Sequence, residues 1–188
     1  MGLDMYLRRK MYVGANYDFN GVEGSIDITI KGEKLPINFK RVVSIVEEGI
    51  YWRKANAIHK WFVDNVQKGE DDCGSYYVDL GQLRELLAVC KQVKEKAILA
   101  EGKIESGSRL VNGAWEPIMV DGKYITNASE IAQILPTQDG FFFGSTNYNE
   151  YYMNDVEYTI EELERLIKEE EELNEKHFYS DFEYHASW

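Results

Sequence analysis

The stretch YWRKANAIHKWFVDNVQ, residues 51–67, changes the rhythm of the chain. Upstream of it, apolar and polar residues partly alternate. Within it, Trp52, Ala55, Ile58, Trp61, Phe62 and Val66 recur at the three- and four-residue spacing of one helical face. Strand-like segments followed by helix-like segments predict an α+β chain. Upstream, LDMYLRRKMYV reads as a first strand. GSIDITIKG, alternating at Ile26, Ile28 and Ile30 between glycines, reads as a half-buried strand, and LPINFKRVVSIVEEG as a further extended stretch.

Downstream, SYYV predicts a short strand and DLGQLRELLAVCKQVKEKAILA a second helix. Asp79 and Gln82 form a capping box at its start, and Leu80, Leu83, Leu86, Leu87, Cys90, Val93 and Ala97 form its buried stripe. EGKIESGSRLVNGAWEP reads as a polar, turn-rich excursion, and Asp121-Gly122 as the turn of a hairpin. Ser129 is expected to cap a short helix that stops at Pro136. TIEELERLIKEEEELNEKH predicts a third helix, boxed by Thr159 and Glu162. The expected architecture is an antiparallel sheet packed against three long helices. It forms a single α+β domain over residues 1–168, followed by an acidic and aromatic C-terminal tail over residues 169–188.

The 188 residues are 44% hydrophobic and 13% aromatic, enough for a real core. No apolar run approaches the roughly 20 residues that span a bilayer, and the N-terminus has no signal-peptide layout. A soluble cytoplasmic protein without a membrane partner is expected. Residues 150–188 hold 13 acids against three bases, while the rest of the chain holds 20 acids against 18 bases. That distribution argues against nonspecific nucleic-acid binding, which needs a basic face. Of the two cysteines, Cys90 belongs to the helical stripe and reads as a buried thiol. Cys73 lies among acids that disfavour a thiolate.

Standard catalytic and phosphate-loop motifs are absent from the sequence, and the three histidines are far apart. No metal site or cofactor is expected. One candidate binding element is Trp52, Arg53 and Lys54, read as the start of the first long helix. There an indole, two cations and a helix N-terminus would suit a planar phosphorylated ligand. His59 is a candidate ligand contact or general base, with Asp72 or Cys73 nearby. The other element is GFFFGSTNYNEYY, residues 140–152. Phe141, Phe142 and Phe143 read as a buried strand. Gly144 would permit close backbone approach, Ser145 and Thr146 would donate hydrogen bonds, and Tyr148 or Tyr152 would stack on a ligand. Each has a plainer reading: Trp52 as a core residue, His59 as a packing residue, and residues 140–152 as strand and turn.

The blocks MGLDMYL, YWRKANAIHKWFVDNVQ, YYVDLGQLRELLAVCKQV and LPTQDGFFFGSTNYNEYYMNDVEYTIEELE together resemble a family of small phage and prophage proteins. The blocks mark a family rather than an activity, so no site residues are carried over from it. The resemblance implies an accessory protein that acts inside the host cell, in a class that often counters host defence. Three readings follow. The first is a noncatalytic binder of a small nucleotide-like signal. The second is an acidic module that inhibits a host protein through the C-terminal helix and tail. The third is an enzyme acting on a nucleotide or phosphoester with His59, Asp72 or Glu150 as acid or base. A homo-oligomer is compatible with all three.

Overall fold

The computed structural model describes residues 2–14, 24–111, 113–140 and 143–188. Strands β1 (Asp4–Tyr12), β2 (Thr29–Ile30), β3 (Glu33–Lys34) and β4 (Ser44–Arg53) lead into helix α1 (Asn56–Asn65). Strand β5 (Ser75–Val78), helix α2 (Leu80–Lys96), and strands β6 (Leu99–Val111) and β7 (Ala114–Ile125) follow. Helices α3 (Ala128–Ile134) and α4 (Glu150–Glu175) and strand β8 (Ser180–Ser187) complete the order.

Alternation builds the main sheet. Met5, Leu7 and Arg9 on β1, Ile50 and Trp52 on β4, and Phe182, Tyr184 and Ala186 on β8 are all buried. The strands pair antiparallel in the order β4-β1-β8-β5. The chain end expected as a tail is therefore the last turns of α4 and an inner strand. Phe182, Tyr184 and Ala186 alternate with polar residues along β8 because every second residue of the strand enters the core, whereas Phe178, Tyr179 and Trp188 stay exposed.

Two long helices cover the sheet, not three. α2 has 17 residues and α4 has 26, whereas α1 has ten and α3 seven. The capping box of α2 forms as expected: the Gln82 N–H donates to Asp79 Oδ1 (2.8 Å) and the Asp79 N–H to Gln82 Oε1 (3.0 Å). Leu83, Leu86, Cys90 and Val93 pack inward from α2, against Met153, Val156, Ile160, Leu163 and Leu166 among the apolar face of α4. Arg84–Glu171, Lys91–Glu164 and Lys94–Glu157 bridge the two helices at 2.7, 2.6 and 3.1 Å. These pairs are about half exposed and contribute little individually. They do show where part of the acidic excess of α4 is neutralised.

Several local expectations give way to tertiary pairing. Tyr51, Trp52 and Arg53 end β4 rather than opening a helix, because their backbone pairs with Tyr6, Met5 and Asp4. α4 begins well before Thr159. Its N-cap is Asn149, whose side chain accepts the N–H groups of Tyr151 and Tyr152. Thr159 lies mid-helix, donating to the Asp155 carbonyl (2.7 Å) and accepting the Trp52 indole N–H (2.9 Å). The stretch around Ile28 and Ile30 stays exposed, and only the two-residue β2 pairs with β3. Ser129 lies inside α3. Asn127 holds the N-cap position, and its side chain ties back to the Ile98 N–H and the Lys96 carbonyl. Phe143 is a buried core residue outside any strand, while Phe141 and Phe142 fall outside the described residues.

The polar excursion is a long antiparallel arm, β6 paired with β7. Its turn joins Val111 to Ala114 through Gly113 at φ +84°, not Asp121-Gly122. Those two residues face Lys103 and Gly102 inside the ribbon. Ile104 and Ile125 bury at its base, whereas Leu110, Trp115 and Met119 stand exposed further out. No helix among the described residues is long and apolar enough to cross a membrane.

Candidate functional site: a cleft at the base of the arm

A cleft of about 830 Å³ opens where β4 hands the chain to α1. One wall is the link Arg53, Lys54, Asn56. A second is the turn Gly144 to Asn147, a third is Glu105 to Ser108 of β6, and the last is the first turns of α4 with Tyr151, Tyr152 and Asp155.

The link is bent by Lys54. Its N–H donates to the Leu3 carbonyl (2.8 Å), and its backbone then turns at φ +60°. Asn56 follows, almost completely buried. Its Nδ2 donates to the carbonyls of Phe143 (3.0 Å) and Ser145 (2.8 Å), and its Oδ1 accepts the Gln138 N–H (3.4 Å). One side chain thus holds the Gly144 turn against the cationic link. Gly144 adopts φ +87°, and a Cβ there would stand 3.3 Å from Lys54 Cβ. Glycine serves both requirements, the left-handed backbone and the close approach. Ser145 Oγ accepts the Asn147 N–H (3.2 Å), closing the turn.

The electrostatics of the cleft are uneven. Arg53 is exposed, with its nearest carboxylate, Asp4, 3.9 Å away. Lys54 forms no ion pair among the described residues. Asp155 forms no side-chain hydrogen bond or ion pair among them either, and burial pushes its carboxyl up to about 7.

The expected site residues separate into two groups. Arg53, Lys54, Gly144, Ser145, Thr146 and Tyr152 meet at the cleft. Tyr152 is otherwise buried, its hydroxyl donating to the Leu135 carbonyl (2.9 Å). Trp52, His59 and Tyr148 do not line it. Trp52 points into the core toward Thr159. Tyr148 packs on Tyr152 at 4.9 Å between ring centroids and accepts the Thr137 N–H. His59 is wholly buried, edge-on to Phe143 at 5.1 Å. Its Nδ1 lies 2.7 Å from the Tyr184 hydroxyl and its Nε2 3.0 Å from Asp71 Oδ2. Burial lowers its pKa, partly opposed by Asp71, so the neutral ring donates to Asp71 and accepts from Tyr184. This network supports the cleft from beneath, because Gln138 bonds both Asp71 (3.1 Å) and Asn56.

The acid–base candidates have separate partners. Asp72 accepts the Gly74 N–H and the Tyr76 hydroxyl, which hold its carboxyl below the usual range. Glu150 accepts the Lys123 N–H at the arm base (3.0 Å). Burial raises the Cys90 thiol to about 12, and no group of three metal-ligating side chains occurs among the described residues.

Asn56, Tyr151, Asp155 and the β6 residues are cleft residues that the sequence reading missed. Asp155 follows Tyr151 by four and Tyr152 by three, so a helix begun at Asn149 places all three side by side. Nothing local announces that β6 closes the same cleft. The arrangement can hold an anion at two cations, offer the exposed ring of Tyr151 for stacking, and provide a hydrogen-bonding turn. No family model, no curated protein and no solved structure matches this chain, so the reading of the cleft rests on its own chemistry.

Proposed function

We propose that the protein is a noncatalytic binder of a small phosphorylated ligand of the nucleotide class, held in the cleft at the end of β4. The observation that carries this reading is the juxtaposition of Arg53 and Lys54 with the Gly144–Ser145–Thr146 turn. Cations with little or no internal pairing, beside a turn rich in hydroxyl and amide groups, suit phosphate oxygens. The cleft volume falls within the range of about 300–1,000 Å³ usual for small-molecule sites. Tyr151, rather than Trp52, is the ring available to a base. The resemblance to phage and prophage proteins adds the setting: sequestration of a nucleotide signal in the host cytoplasm, countering host defence.

A thermal-shift panel of cyclic and ADP-ribose-type nucleotides tests the reading. A ligand at a hundred times its Kd stabilises by about 2.7 kcal/mol, a shift of several degrees for a domain of this size. Lys54→Gly removes the charge while keeping a backbone that glycine adopts freely, so the fold should stay and the shift should shrink. No stabilisation by any nucleotide would overturn the proposal.

The protein-interaction alternative now draws on the exposed Leu110, Trp115 and Met119 of the arm. Deleting the chain end would not separate that reading from unfolding, because β8 is an inner strand. The enzymatic alternative has less support, since His59, Asp72 and Glu150 are each engaged with different partners.

A further inference from the structure

This inference deepens the ligand-binding reading of the cleft and rests on it. Asp155 stands on the α4 wall with Tyr151 and Tyr152. The charged and titratable groups sharing the cleft with it are Arg53 and Lys54 from the link, Glu105 from β6, and the two tyrosines from α4. None of them hydrogen-bonds or ion-pairs with it among the described residues, and its carboxyl is partly withdrawn from water. A desolvated carboxylate without a donor costs stability. Its position on a cleft wall with two cations suggests a donor that arrives with the ligand. Neither carboxylate oxygen has a hydrogen-bond or ion-pair partner among the described residues, and a carboxylate can accept two parallel N–H bonds at once. Among the common bases, guanine alone sets two N–H donors side by side on its pairing edge, at N1 and N2. Adenine sets one donor beside an acceptor there, cytosine one donor beside two acceptors, and uracil one donor between two acceptors.

We propose that the cleft selects guanine nucleotides, with the phosphate at Arg53 and Lys54 and the N1–H and N2–H groups of the base on the Asp155 carboxylate. Tyr151 lies one helical turn before Asp155, where its ring can cover the base.

The test is titration calorimetry of the whole protein with guanosine, adenosine and xanthosine 5′-monophosphates. Wild type should bind the guanosine compound at least tenfold more tightly than the adenosine compound. Asp155→Asn should lose that preference and gain at least tenfold for the xanthosine compound, whose C2 carbonyl accepts the new amide N–H. Wild-type affinity for the guanosine compound should rise about tenfold between pH 6 and pH 8, as the carboxyl gives up its proton. The variant should keep only the dependence due to the phosphate, whose second pKa is about 6. The variant should also fold. A carboxyl raised in the folded state loses stability as pH climbs from about 4 to about 7, so its replacement should melt higher than wild type at pH 8. Equal guanosine and adenosine affinities, unchanged in Asp155→Asn, would overturn guanine selection while leaving the ligand reading standing. Absence of any nucleotide binding would overturn the ligand reading and this inference with it.

Discussion

β1 and β6 are both long strands with alternating side chains, and they meet opposite fates. β1 has nine residues, lies between β4 and β8, and buries Met5 and Leu7 completely. Among the described residues, β6, with 13 residues, pairs only with β7 and buries Ile104 alone. The strand pattern is the same in kind; what differs is whether a second neighbour and a covering helix arrive. A two-stranded ribbon has no core of its own, so the distal arm contributes surface rather than stability. The cleft lies where the two regimes join, with three walls from the body and one wall from the arm.

That contrast can be broken in three places. Ending the chain after Lys176 removes β8, takes from β1 and β5 the strand that lies between them, and takes Phe182, Tyr184 and Ala186 from the core. The truncated chain should show no cooperative thermal transition by circular dichroism. A folded product would mean that β8 is an appendage after all. His59→Ala leaves the Tyr184 hydroxyl and Asp71 short of a buried partner and opens a void. It should cost about 2–5 kcal/mol in urea unfolding. A cost below about 1 kcal/mol would remove the network from the support of the cleft. Replacing residues 108–117 with Asn-Gly rejoins Gly107 to Ile118, which face each other in the ribbon. Stability should change by less than about 0.5 kcal/mol, as for other surface changes. A loss well above that would show that the arm unfolds with the body.

The cleft was half legible. Arg53 and Lys54 were identifiable as exposed cations, and Gly144, Ser145 and Thr146 as a turn, because those properties belong to the residues themselves. Trp52 and His59 were open to two readings because an indole or imidazole serves a ligand or a core equally well. Only the pairing of Trp52 with Met5, and the position of His59 between Tyr184 and Asp71, settles which. The start of α4 had a usable signal in Asn149 and Glu150, obscured by the stronger-looking pair Thr159 and Glu162. The arm had one as well: Asn112-Gly113 is a better hairpin dipeptide than Asp121-Gly122.

By itself the sequence determined the α+β class, the strand at β1, the short β5, the capped α2 and the acidic bias of the C-terminal part. Each depends on spacing or capping over a few residues, where propensity and periodicity act directly. The tertiary structure alone decided that β8 is an inner strand, that residues 51–53 end a strand, and that Asp155 shares a cleft with Arg53 and Lys54. Those outcomes depend on contacts between residues roughly 50 to 180 positions apart. At such separations neither spacing nor local propensity carries information about which surfaces meet.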